Sequence, residues 1–426
     1  MRIPYGDTEL EFQLPEGAPC RVVTPGCDPT EQTPPPHHDP LAVEQDLVRR
    51  ALAAPIGSPP LRELAAHAGR AVIVVSDITR PCPSYKFLPA LLDELAALPP
   101  ERITILFALG GHRRHSAEEQ AALVGDEVVG RGVELLDLDA ARCVPVGVTS
   151  RGTRLEVFQA YLDADLRICT GNIEYHYFAG FSGGAKAVVP GMCSYSAIRD
   201  NHAMMLEPAA RAGQLEGNPV RADIDEAGGL IGIDFLFNVV LDEEKRIVAA
   251  VAGDYIAAHR AGVALYDERC DLRVDEAADV VIASPGGLPK DINLYQAQKT
   301  LDNVSGAVRE GGTIILVARC REGFGQLAFE EWMGEMAGEP RVLVERIRRE
   351  FVLGGHKAAA IAGLLTRVNV SLVSEFPPQT VRAMCMEPFA SVDAAVAAAV
   401  ARHGSGARFV VVPHGNRVTA AAPQPA

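Results

Sequence analysis

Short apolar runs, each bounded by polar residues, alternate along this chain with stretches of helical spacing. Ala71 to Val75 (AVIVV) and Ile103 to Leu109 are the clearest, and Asp165 to Cys169 is a weaker third. β-Branched runs of this length suit strands buried on both faces of a parallel sheet. Helix-like segments lie between them, from Ser84 to Leu98 and from Ser116 to Val124. Strand alternating with helix predicts an α/β fold. Nearer the start, Thr8 to Leu14 alternates polar and apolar and reads as a half-buried strand. Pro25 to Pro40 reads as a Pro-rich loop that holds His37 and His38.

The last third repeats the rhythm. Strands are expected at Ala278 to Ser284, Thr313 to Ala318, Asn369 to Ser374 and Arg408 to Val412. Helices are expected at Asn293 to Arg309, Phe329 to Phe351 and Ser391 to Arg402, the first ended by Gly311 and Gly312. This is the pattern of a doubly wound domain. The charged stretch Cys270 to Glu276 marks its start. The expected organisation is therefore an N-terminal α/β domain over 1–272 and a C-terminal doubly wound α/β domain over 273–426. Both have largely parallel sheets and flanking helices, and the last strand is a candidate to pack back on the first domain. A chain of 426 residues accommodates this, at roughly 150 residues per domain.

Composition narrows the function classes. Hydrophobic residues at 48% and charged residues at 22% fit a globular protein. The net charge of −15 repels phosphate backbones and argues against a general nucleic-acid binder, though not against a small basic pocket for an anionic metabolite. No apolar run approaches the roughly 18 residues a membrane helix needs. The N-terminus lacks a basic stretch followed by an apolar core, so the expected compartment is the cytoplasm. The nine cysteines are scattered, odd in number and without C-x-x-C spacing, which favours reduced thiols.

In open α/β sheets, ligands bind outside the carboxyl ends of the strands. Three such ends carry unusual residues. Asp77-Ile78-Thr79-Arg80 follows the first strand, where Arg80 offers a planar fork for a carboxylate and Asp77 can orient it. Gly110-Gly111-His112-Arg113 follows the second and puts His112 where acid–base residues are often found; His115 reads as a solvent-exposed neighbour. The densest block, Gly171 to Lys186, follows the third. Within it, Ser182-Gly183-Gly184 reads as a helix opening whose free amides can cradle a phosphate, with Lys186 in the first turn. It is not a Walker A motif. A second helix, Ser196 to Leu206, carries His202. In the last third, Gln296 and Lys299 share one helix face beside Tyr295 and can complete an anion site across an interdomain cleft.

This ordered set resembles the nickel-pincer lactate racemase family of 2-hydroxyacid racemases and epimerases. The matching pieces are SDITRP, GGHR, the H-x-F-A-G-x-S-G-G-x-K-x-x-x-P-G block from His176 to Gly191, Asn201-His202 and the Gln296/Lys299 pair. The resemblance implies a site in the interdomain cleft and a nickel-pincer nucleotide (a pyridinium-3,5-bisthiocarboxylic acid mononucleotide with nickel) tethered to Lys186. It implies His202 as the protein's nickel ligand, with Ser182, Gly183 and Gly184 close to the nucleotide. The implied reaction inverts C2 of a 2-hydroxy acid through a 2-keto acid, by reversible hydride transfer. His112 and His176 match the family's pair of bases. Arg80 and Lys299 match the carboxylate grip, with Asp77 and Gln296 orienting. The implied partners are the enzymes that make the cofactor.

One departure concerns substrate. The family's lactate enzyme has a tryptophan near the substrate, and Trp332, the chain's single tryptophan, falls in an amphipathic helix instead. Tyr295 and Glu375-Phe376-Pro377-Pro378 are the candidate replacements, which puts relatives of lactate ahead of lactate. Two other classes remain open from the residues: a zinc-type hydrolase using His112, His176 and His202, though H-E-x-x-H is absent, and a non-catalytic binder of a nucleotide or hydroxy acid.

Overall fold

The computed structural model describes residues 1–23, 40–80, 82–207, 209–242, 244–269, 277–336, 338–350, 352 and 354–415. His37, His38, Phe351 and the stretch 270–276 lie outside them. The chain forms two compact units: a central one, Cys27–Arg269, and a terminal one built from both chain ends, Met1–Gly26 and Cys270–Ala426. Among the described residues, no helix is long and apolar enough to cross a membrane.

The first 26 residues thus fall outside the domain expected over 1–272. Cys20–Val22 adds in parallel to the edge of Phe409–Val412 and completes a second sheet, and Ile3 and Phe12 join that sheet's core with Val280, Ile315 and Val411. Phe409–Val412 pairs in parallel with Ala278–Ala283, so its backbone is satisfied within the terminal unit.

The central unit is built on a six-stranded sheet in the order Ile247–Gly253, Phe235–Leu241, Leu166–Ile173, Ala71–Ser76, Ile103–Ala108, Glu134–Asp137. All neighbours are parallel except the first pair. The five leading residues of Ala71–Ser76 are all buried, as a strand covered on both faces requires. From Ala71–Ser76 the chain moves outward to Ile103–Ala108 and Glu134–Asp137, then returns to the opposite side as Leu166–Ile173. The strand order therefore reverses between Ala71–Ser76 and Leu166–Ile173, and such a switch point opens a crevice at the carboxyl ends of the strands. The third strand is longer than its apolar core: it runs through Gly171 and Asn172 to Ile173.

The terminal unit carries a second six-stranded sheet in the order Glu387–Phe389, Asn369–Val373, Val308–Val317, Ala278–Ala283, Phe409–Val412, Cys20–Val22. Every pairing in it is parallel. The single helix expected from Phe329 to Phe351 is two, Leu327–Glu335 and Arg341–Arg349. The break holds Gly338 at φ 93° and Pro340, which stands at the N-cap of the second helix. A further helix, Gly355–Leu365, has no strong apolar period and was not anticipated.

Candidate active site

The parallel register sets Ser76 beside Ala108, so the Asp77–Arg80 turn and the Leu109–His115 loop leave the sheet side by side. Asp77 is buried, with 2% of its surface exposed. Its Oδ1 accepts the Thr79 amide (3.1 Å) and hydroxyl (2.7 Å), and its Oδ2 is bonded to His112 Nδ1. Burial pushes the Asp77 pKa up, but the bonds from His112 and Thr79 and the charge of Arg80 outweigh it and hold the pKa below the ordinary carboxylate value. With Nδ1–H given to Asp77, the neutral His112 ring keeps its lone pair on Nε2, the arrangement of a general base. Arg80 is exposed at the end of the same turn.

On the other side of the switch point, Tyr175–His176 and Gly180–Phe181 form a tight hairpin. Gly180 sits at φ 75°, where a Cβ would meet the Gln214 carbonyl oxygen at 2.1 Å. The hairpin turns Phe178 inward, and three predicted residues gather around its ring. His176 lies edge-on to it with centroids 4.6 Å apart, His202 lies 4.8 Å away, and Lys186 Nζ is 5.7 Å from its centroid. Burial, then the charges of Arg221 and Arg80, push the half-buried Lys186 amine well below the ordinary lysine value. Burial, then Lys186, Arg80 and His202, likewise push His176 well below the ordinary imidazole value. Because Arg80 acts on both groups, the two sides of the switch point share one electrostatic environment.

The two imidazoles differ. Ala179 N donates to His176 Nδ1 (3.3 Å), so the neutral His176 ring carries its proton on Nε2. His112 carries its proton on Nδ1.

The Ser182-Gly183-Gly184 turn does not open a helix, and two of its three amides are already bonded. Gly184–Ala187 is one short 3-10 turn rather than a helix. The Ser182 amide donates to Glu174 O (2.8 Å) and the Gly184 amide to Asn238 Oδ1 (2.8 Å), so both donors are used internally. The glycines serve close packing: a Cβ on Gly183 would meet Asn238 Oδ1 at 2.6 Å, and one on Gly184 would meet the His259 ring at 3.0 Å.

What holds this loop was not visible from spacing. Arg221 is fully buried and aims its guanidinium at the carbonyls of Ala179, Phe181 and Gly183. His259 Nε2 donates to Ser182 O (2.8 Å), and Asn218 Nδ2 donates to Phe178 O (2.9 Å). Asp225 joins the cations, at 3.4 Å from Arg221 and 2.5 Å from Arg260. His115, expected at the surface, has a side chain 1% exposed and bonded to Asp137. In Arg221 and Asp225 the readable signal is only a pair of opposite charges at i and i+4.

Tyr295, Gln296 and Lys299 lie on Leu294–Val304 of the terminal unit, a helix capped by Asn293, whose side chain accepts the Gln296 amide (3.0 Å). Lys357, absent from the sequence expectations, donates to Tyr295 O (2.8 Å) and stacks 3.7 Å from the Tyr295 ring centroid. Trp332 is core, 2% exposed against Gly355 and under Arg346. Among the described residues, no three His, Cys, Asp or Glu side chains gather as a metal site, so the zinc-hydrolase expectation has no ligand cluster behind it.

These features define an α/β fold that carries imidazoles, a lysine amine and a guanidinium beyond the carboxyl ends of one parallel sheet. Residues 5–213 match the model of the lactate racemase N-terminal domain, and 274–420 that of the lactate racemase C-terminal domain. The chain is 36% identical over 388 residues to a lactate racemase of Lactiplantibacillus plantarum, covering 89% of this chain and 91% of that one. It is 32% identical to a lactate racemase of Thermoanaerobacterium thermosaccharolyticum, covering 97% of each. The lactate racemase apoprotein structure from the latter organism superposes with a TM-score of 0.84, at 32% identity over 98% of this chain and 99% of that one. A crystal structure of a protein from Thermotoga maritima shares the fold, with a TM-score of 0.58 at 18% identity over 89% of this chain and 98% of that one. The chain belongs to the lactate racemase family and is an isomerase.

Proposed function

We propose that this enzyme inverts C2 of a 2-hydroxy acid, lactate or a close relative, using a nickel-pincer nucleotide carried on Lys186 and ligated by His202. The observation that carries the reading is the convergence of Lys186, His202 and His176 on the single ring of Phe178. The donor chemistry fits. A pincer group would supply most of nickel's donors itself, so one imidazole from the protein, that of His202, would complete the set without a three-residue cluster. Its bisthiocarboxylate would also require an amine partner that is not protonated, and burial beside Arg221 and Arg80 shifts the Lys186 amine toward that form. When bound, such a group supplies a reversible acceptor for the C2 hydride, which no side chain of the chain offers.

The remaining steps belong to the protein. Arg80 binds the substrate carboxylate through its fork. His112 Nε2 accepts the C2 hydroxyl proton from one enantiomer, with Asp77 holding the ring and stabilising the imidazolium. His176 serves the other enantiomer. To do so it must move its proton to Nδ1 and release the Ala179 amide, a bond already long at 3.3 Å. Giving up one such bond costs about 1 kcal/mol. For Gln296, Lys299 and Tyr295 the family pattern is the support, and the reading assigns them to substrate contact. Cofactor loading makes the host's cofactor-producing enzymes obligatory partners.

Expression in a host with those enzymes, followed by intact mass, metal analysis and chiral product assay, tests this. The expected result is a mass increment and nickel that vanish in Lys186→Ala, with inversion of at least one of lactate, malate, longer aliphatic, aryl and sugar 2-hydroxy acids. An unmodified Lys186, or ligand binding without inversion across that panel, would overturn it.

A further inference from the structure

Two histidine–carboxylate pairs stand side by side on the loop after Ile103–Ala108. One is His112 with Asp77. The other is His115 with Asp137, and the reaction as derived above makes no use of it. Asp137 holds His115 at two points: Oδ2 accepts its backbone amide (2.7 Å) and Oδ1 is bonded to its Nδ1 (2.8 Å). Phe107 packs against the ring at a centroid distance of 5.1 Å. With Nδ1–H committed to the carboxylate, the lone pair rests on Nε2, and it accepts the Ile78 amide at 3.2 Å.

Ile78 follows Asp77 and lies two residues before Arg80. The Thr79 and Arg80 amides bond only within the turn, to Asp77, and the Thr79 hydroxyl bonds Asp77 Oδ1 and also lies 3.3 Å from His112 Nδ1. Besides the bonds of Asp77 and Thr79 to His112, the turn's own bonds shape it without fixing it to the sheet. The Ile78 side chain is 46% exposed and gives little anchorage by packing. One buried imidazole thus ties the ends of three neighbouring strands: Ala71–Ser76 through Ile78, Ile103–Ala108 through its own backbone, and Glu134–Asp137 through Asp137. A buried polar pair of this kind adds little net stability over an apolar side chain of similar size, so geometry is its natural role.

We infer that His115 is a positioning residue: through Ile78 it sets the turn that places Arg80 for the substrate carboxylate and Asp77 for His112. The inference rests on the proposed roles of Arg80 and His112. His115→Gln keeps an acceptor near the Nε2 position. His115→Asn keeps a donor near Nδ1 for Asp137 but falls short of Ile78. In loaded enzyme, His115→Asn lowers kcat at least 10-fold and raises KM several-fold, while cofactor loading by intact mass and the melting temperature stay near wild type. His115→Gln recovers most of both parameters. In the apoprotein, hydrogen exchange at the Ile78 amide accelerates at least 10-fold in His115→Asn and much less in His115→Gln.

Two results overturn the inference. One is unchanged kinetics or exchange in His115→Asn; the other is equal damage from both variants. If exchange behaves as stated but His112→Ala retains full turnover, the clamp stands and the assignment of His112 as a base fails. Asp137→Asn, which loosens His115 without altering the ring, gives a second route should His115→Asn fold poorly.

Discussion

His112 Nδ1 is hydrogen-bonded to the carboxylate of Asp77, a side chain 2% exposed. The pair fixes both the ring's orientation and the nitrogen left free. Asp77→Asn keeps the shape but can present N–H to Nδ1, which moves the ring proton to Nε2 and blocks it as a base. The expected outcome is a fall in kcat of about 10²–10⁴-fold with KM nearly unchanged, read by steady-state kinetics from each enantiomer. Because the Asp77 pKa lies below its ordinary value, its stabilising contribution is present above the unfolded carboxylate pKa and is lost only as pH falls through the lower folded value. Any acid limb in the rate profile near neutrality must therefore arise elsewhere than Asp77, and it should persist at the same pH in Thr79→Val.

Arg221 makes the Lys186 loop rigid and also bears on its amine. Burial pushes the guanidinium down to about 10, yet it remains charged at neutral pH. Arg221→Met strands the carbonyls of Ala179, Phe181 and Gly183 and leaves Asp225 to Arg260 alone. Breaking a buried charged network of this type costs about 3–5 kcal/mol, to be measured by urea unfolding of the apoprotein. The variant also removes a cation that depresses Lys186. The pH at which Lys186 becomes half-reactive toward a small anhydride, read by peptide mass, should move upward.

His356 in the terminal unit gives a pH effect separable from catalysis. Burial, then the nearby Lys357, pushes its pKa down to about 4. Below the unfolded value of about 6.5, the unfolded chain takes up a proton that the folded chain refuses, so this group's contribution to stability falls as pH drops toward 4. His356→Gln removes that penalty. The stability of wild type relative to the variant should decline by about 2 kcal/mol between pH 7 and pH 5 in paired denaturant titrations. A constant difference would show that the folded ring protonates normally.

Trp332 lies in the core of the terminal unit, with Arg346 Cζ 4.2 Å from its ring centroid. Trp332→Ala should cost about 3–5 kcal/mol in unfolding free energy. The KM of the folded fraction should not change. A raised KM at unchanged stability would instead make this side chain a substrate contact.

Period and strand-end chemistry revealed much of the protein from the sequence. The buried runs AVIVV and ITILFAL became adjacent parallel strands, because continuous β-branched apolar sequence is stable only where both faces are covered. The residues at their carboxyl ends, Asp77, Arg80 and His112, were legible because a strand's exit is a local property. His176, Lys186 and His202 were legible as members of a spaced motif. Their convergence on Phe178 was not, since it depends on the Gly180 turn and the buried Arg221 behind it.

Other features lay beyond local reading because their partners are far away in the chain. Cys20–Val22 is too short and too exposed to stand out by period and becomes an edge strand because Phe409–Val412 offers unpaired backbone. Ser182-Gly183-Gly184 has the composition of an anion cradle, but its Ser182 and Gly184 amides are taken by Glu174 and Asn238, the latter from a strand more than fifty residues onward. His115 and His112 sit three residues apart in one polar loop, and only their distant partners, Asp137 for one and Asp77 for the other, go with one ring buried and the other exposed. Local sequence sets which groups are available at a strand's end; their protonation and aim follow from which distant atoms are brought within about 3 Å, because hydrogen bonding falls away steeply with distance.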